Sequence, residues 1–181
     1  MPQSQYIRQR PTEFLERLAL HHLDVVKDKE NRSISNGITL DCASGLIALA
    51  VYAEALINLV GDKSLRSKWR ERDPYHKKLE RLLKRLKIKP AEHPDLFFAL
   101  GKLKQVRDDV VHAKPKNFNI RPSTDEETRK LMQPAWIADC SPTVFYATVE
   151  QVRQFKDLLV NAANLNSSEY MSSGSYDNKQ S

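Results

Sequence analysis

Arg107 and His112 are the two residues of this chain whose types and placement best suit chemistry on a phosphate. Stepping by four and three through Leu96, Leu100 and Leu103 lands on Arg107 and then on Val110, which puts a guanidinium on an otherwise apolar helix stripe. An arginine is almost never buried unpaired, so Arg107 there must face a carboxylate, a ligand or a partner chain. In the other arrangement Val106 takes the core position and Arg107 reaches outward. Metal-free transfer at a phosphodiester needs a base for the attacking hydroxyl, an acid for the leaving oxygen and a cation for the phosphorane. Histidine titrates near neutrality, and a guanidinium grips two phosphate oxygens at once. His112 therefore fits as base or acid and Arg107 as phosphate clamp. An i, i+5 offset is about 140° around an ideal helix, so the pair converges only through a distorted helix end or a second subunit. His112 has another reading, as a cation stabilising a helix C-terminus with Asp108 one turn back.

Glu54 and Asn58 stand one turn apart in an otherwise apolar stretch. A buried carboxylate needs a cation. Arg107 is one candidate, which Glu54 would orient; a lysine at the rim of the bundle is the other. From Lys63 to Lys89 there are twelve Lys and Arg against three Asp and Glu. Lys77, Lys78, Arg81, Lys84 and Arg85 flank or oppose an apolar stripe, a density that can hold RNA phosphates or can form an ordinary solvated face.

Among 181 residues only 5 are glycine, scattered along the chain, which excludes the clustered glycines of P-loops and dinucleotide fingerprints and favours long helices. The 2 cysteines, Cys42 and Cys140, have no second ligand at metal-binding spacing, so no metal and no cofactor is expected. MPQSQYIRQRPTEF lacks an apolar core, and Ile38 to Val60 is interrupted by Asp41, Glu54 and Asn58. The expectation is a cytoplasmic protein with no membrane partner, in which that stretch is a buried helix.

Five helices are legible, and no alternating strand pattern competes with them. The first is predicted over about Thr12–Lys29 with Thr12 as N-cap, the second from near Ser35 to a left-handed Gly61. The third opens at Asp73-Pro74 and carries Leu79, Leu82, Leu83 and Leu86 down to Pro90. The fourth spans about Pro94–Ala113, and the fifth opens at Ser141-Pro142 with Phe145, Val149, Val152, Phe155 and Leu159. The connection between the last two holds a short helical segment from Thr124 to Met132 and Trp136. The fold class expected is all-α, an antiparallel helical bundle of about five helices over residues 1–165, followed by a disordered C-terminal tail over 166–181.

The segment Arg107-Asp-Asp-Val-Val-His112 resembles the R-x(4–6)-H motif of HEPN domains (higher eukaryote and prokaryote nucleotide-binding), in which a polar residue, here Asp108, usually follows the arginine. The apolar AVYAEALINLVGD helix before it and HAKP after it are similar to the family as well, and the likeness spans roughly Ser35 to Pro115. A second R-x(4)-H, from Arg17 to His22, is set aside because Leu18 follows the arginine and the helix is the first. Lys114 stands where one subfamily carries a modified tyrosine, so that regulation is not expected. The resemblance implies a HEPN-like fold, a homodimer, and a metal-independent endoribonuclease leaving a 2′,3′-cyclic phosphate. In that picture the protein is a toxin or defence effector, catalysis rests on Arg107 and His112 with Glu54 and Asp108 supporting, and an inhibitory protein partner restrains it. The alternative is a catalytically inactive module that binds RNA or protein.

Overall fold

Ile38–Leu65 forms the longest helix, α2, because it is apolar nearly all round and so gains most by lying in the middle. The computed structural model describes residues 11–113 and 124–166; expectations for the tail beyond residue 166 and for 114–123 lie outside them. Around α2 pack α1 (Pro11–Asn31), α3 (Tyr75–Leu86), α4 (Pro94–Val111) and α6 (Pro142–Ala162), while α5 (Asp125–Met132) lies in the long connection. Six α-helices and no strand are present among the described residues, one helix more than the five main ones expected. The sixth is α5, whose Thr124 hydroxyl accepts from the Glu127 amide at 3.1 Å.

The core runs along α2 through Cys42, Leu46, Leu49, Leu56, Ile57 and Val60, closed by Leu82 of α3, Leu100 of α4 and Phe145 and Phe155 of α6. By length and composition Ile38–Lys68 could cross a membrane, yet 61% of its most apolar window is buried in the bundle. Ser141 caps α6 as its sequence predicts, its hydroxyl accepting from Val144 N at 3.3 Å.

Three expectations of detail are corrected. Gly61 does not end α2: the helix continues to Leu65, and Gly61 is buried because the Trp69 ring packs on it, 2.5 Å from where a Cβ would stand. The third helix stops at Leu86 rather than near Pro90, closed by Lys87 in the left-handed region (φ 59°) with Ile88 N bonded to Leu83 O at 3.0 Å. Thr12 lies inside α1 instead of preceding it. The scarcity of glycine shows in these helix ends. Ser33 (φ 54°) after α1 and Asn164 (φ 51°) after α6 adopt the same left-handed turn that Lys87 does, with Ile34 N on Lys29 O at 2.8 Å and Leu165 N on Val160 O at 3.0 Å.

Candidate functional site

On α4 the buried stripe is Leu96, Leu100, Leu103 and Val106, so Val106 holds the core position and Val110 is only partly covered. Arg107 is next to it, three-quarters buried, turned toward α2. Its Nη1 donates to Glu54 Oε2. Its Nε and Nη2 donate to Asp108 Oδ1 at 3.0 and 2.7 Å, and the other oxygen of Asp108 accepts from Lys104 Nζ. The second oxygen of Glu54 accepts from Lys78 Nζ at 2.6 Å, and the Lys78 side chain is only 4% exposed. Arg107 and a lysine are thus present at once, but the lysine, Lys78, is enclosed in the bundle and not at its rim. One chain of charges, Lys78, Glu54, Arg107, Asp108 and Lys104, ties α3, α2 and α4 together.

Burial pushes the Glu54 carboxyl up, but the hydrogen bonds and charges of Lys78 and Arg107 outweigh it and hold the group below the usual carboxylate range. Asp108 is held down chiefly by the bond from Lys104, then by Arg107. Burial, with the Glu54 charge second, raises the Tyr75 phenol to about 12. Burial alone would lower the Arg107 pKa, but its bonds to Asp108 and Glu54 raise it, so the guanidinium is a fixed cation.

His112 occupies the C-cap of α4, exposed, with its backbone N–H on Asp108 O at 2.9 Å. No hydrogen bond joins it to Arg107 among the described residues, as the i, i+5 offset implies. The structure therefore brings Arg107, Glu54 and Asp108 together and leaves His112 beside them, open to solvent.

The five basic residues expected on one RNA-binding face separate. Lys77, Lys84 and Arg85 are exposed, Arg85 Nε donating to Ser64 O at 3.1 Å. Arg81 is half-buried against Asp73 at 2.6 Å. Lys78 is directed into the bundle, since it shares the buried face of α3 with Leu82, one turn on. Asn58, one turn after Glu54, keeps its side-chain oxygen buried without a hydrogen-bond partner.

Two members of the network were not singled out from sequence. Lys104 stands four residues before Asp108, a spacing that signals an ion pair; Tyr75 counted only as an apolar position. Cys42 and Cys140 are buried free thiols, raised to about 11 by burial. Among the described residues no group of three or more His, Cys, Asp or Glu gathers closely enough to hold a metal ion. Comparison of the chain with protein-family models, curated proteins and solved structures finds no match.

Proposed function

We propose that the chain is a metal-independent endoribonuclease of HEPN type, working as a homodimer in which two Arg107/His112 pairs face one cleft. The observation that carries this reading is the setting of Arg107. A guanidinium has five N–H donors, and three of them engage Glu54 and Asp108. Those bonds fix its plane and leave two donors for phosphate oxygens. His112 is exposed at the end of the same helix, where a general acid or base can meet a strand in solution. A single pair supplies one titrating group, and its twofold mate supplies the second that 2′-hydroxyl attack and 5′-oxygen departure require. In the cytoplasm such an enzyme acts as a toxin or defence effector and needs an inhibitory protein partner.

One observation favours a second reading, a catalytically inactive module that binds RNA or protein: Arg107 is neutralised from two sides and bonds to no part of His112. A single assay separates the two. Purified protein with EDTA and a labelled single-stranded RNA is expected to give fragments ending in 2′,3′-cyclic phosphate. Binding of that RNA without any cutting would sink the enzyme and leave the module.

A further inference from the structure

At the end of the bundle where α2, α3 and α6 all terminate, a cleft of about 760 Å³ opens. Lys63, Arg66, Lys68, Arg85 and Lys87 line it, together with Ser64 and a few aliphatic residues; among the described residues that line it there is no carboxylate and no aromatic ring. An equidimensional space of that volume is roughly 9 Å across, about one Debye length at physiological salt, so the positive charges around it act on an entering anion through partial screening.

The simplest account would make these cations partners of the three helix C-termini. It falls short in magnitude, because each helix end carries about half a negative charge, or roughly −1.5 in all against the four side chains of Arg66, Lys68, Arg85 and Lys87. It falls short in geometry as well. The terminal carbonyls of α3 and α6 are closed by backbone amides, Ile88 N on Leu83 O and Leu165 N on Val160 O, each at 3.0 Å, and α2 closes through Arg66 N on Asp62 O. Within the cleft Arg85 Nε donates to Ser64 O at 3.1 Å. Arg66 (φ 47°) and Lys87 (φ 59°) moreover sit in positive-φ backbone that glycine adopts more readily.

We propose that this cleft holds the phosphodiester backbone of single-stranded RNA, with Arg66, Lys68, Arg85 and Lys87 gripping phosphates. The proposal rests on the nucleic-acid part of the reading above and not on cleavage. A strand fits better than a small polyphosphate because the positive surface does not end at the cleft. Beside Arg85, the exposed Lys84 and Lys77 continue along one face of α3, two turns or about 10 Å apart, where successive phosphates can follow. Among the described lining residues there is no ring to stack a base, so their grip is on the backbone, which carries no sequence preference.

The test is fluorescence anisotropy of a labelled 2′-O-methyl uridylate dodecamer, which cannot be cut through its 2′-oxygen, titrated with the full chain at several salt concentrations. Arg66→Glu/Lys68→Glu and Arg85→Glu/Lys87→Glu lie on separate elements and are checked for helicity first, so a folding failure of one pair leaves the other. Each is expected to weaken binding at least tenfold and to make the slope of log K against log salt shallower by about 1.4, two phosphate contacts of a single strand. Lys27→Glu/Arg153→Glu, two exposed residues elsewhere, changes the net charge equally and is expected to stay within about twofold of wild type. Equal losses in that control, or wild-type binding by both cleft variants, would overturn the proposal. Sodium tripolyphosphate displacing the dodecamer at equal phosphate concentration would overturn the strand in favour of a small polyphosphate. Cleavage of unmodified uridylate is read separately: its absence alongside cleft-dependent binding removes only the enzyme, and its presence alongside cleft-independent binding removes only this site.

Discussion

Glu54 of α2 and Arg107 of α4, 53 residues apart in sequence, meet in a hydrogen bond between carboxylate and guanidinium inside the bundle. The same carboxylate accepts from Lys78 of α3 at 2.6 Å. Three helices therefore depend on one acidic side chain, and removing it leaves the almost fully enclosed Lys78 without its carboxylate and Arg107 with Asp108 alone.

Glu54→Ala is accordingly expected to destabilise the fold by about 3–5 kcal/mol, the usual penalty for leaving a buried charge uncompensated. Lys78→Met in the same background is expected to recover part of that loss, because an apolar side chain of similar length suits the site once the carboxylate is gone. Urea unfolding of the two single variants and the double gives the coupling directly. Additive losses would mean that the 2.6 Å contact contributes nothing.

The pH dependence has a fixed sign. Lys78 and Arg107 overcome burial to hold Glu54 below its ordinary value, so the stability it contributes is fully present above the unfolded carboxylate pKa of about 4.3 and is lost as pH falls through the lower folded value. Glu54→Gln cannot titrate there. The stability gap between wild type and this variant is expected to be widest near pH 6–7 and to narrow below about pH 4.3 in urea unfolding at stepped pH. A gap that stays constant down to pH 3 would contradict the assignment.

Helix existence was written plainly in apolar spacing. The inward positions of α6, Phe145, Val149, Val152, Phe155 and Leu159, are all buried as their periodicity requires. Helix ends were less legible, since the same glycine can end a helix or clear space for a ring. Gly61 does the second, under Trp69, and no local signal separates the two. In the candidate site, Glu54 announced itself as a carboxylate in apolar surroundings, and Arg107 as a break in a stripe. Lys78 did not, because in a run as basic as Lys63–Lys89 its helical face alone sends it inward. The cations of the basic cleft stood in that same run, but not their gathering around one space, which takes the ends of α2, α3 and α6 together.

Glycine substitutions give a test internal to the chain. A Cβ on Gly45 would meet the Phe145 ring at 2.2 Å and one on Gly61 the Trp69 ring at 2.5 Å, so Gly45→Ala and Gly61→Ala are each expected to destabilise by about 1–3 kcal/mol or more through overpacking. Gly101, exposed on α4, has nothing within 4 Å of that position. Gly101→Ala is expected to stabilise by about 0.5–1 kcal/mol through helix propensity. Thermal melts followed by circular dichroism rank the three, and similar shifts for all of them would defeat the packing argument.

Assembly is tested on the groove between α4 and α6. Phe98, 69% exposed, and Val144 line a space of about 340 Å³ whose floor includes Leu103 and Val106, on the same helix as Arg107. A homodimer seated there would bring the two α4 helices together, with both copies of His112, fourteen residues from Phe98, on the side of the seam. Light scattering at tens of micromolar is expected to show a dimer for wild type and a monomer for Phe98→Asp. A strictly monomeric wild type would remove the composite site.

Catalysis separates the roles of the two motif residues. If His112 transfers a proton, His112→Ala is expected to lower cleavage of single-stranded RNA by roughly 10²–10⁴-fold while leaving the fold intact, since its exposed side chain supports no packing. Arg107→Lys keeps the charge but loses the planar fork. A lysine cannot bond Glu54, Asp108 and a phosphate in the fixed directions that a guanidinium does, so its activity is expected to fall as well, and more steeply than its stability. His22→Ala on α1, in the other R-x(4)-H of the chain, serves as the comparison and is expected to cut at the wild-type rate. Activity is expected to survive EDTA. Equal behaviour of the two histidine variants would place the proton transfer elsewhere, and an Arg107→Lys protein as active as wild type would reduce Arg107 to the structural ion pair it forms with Glu54.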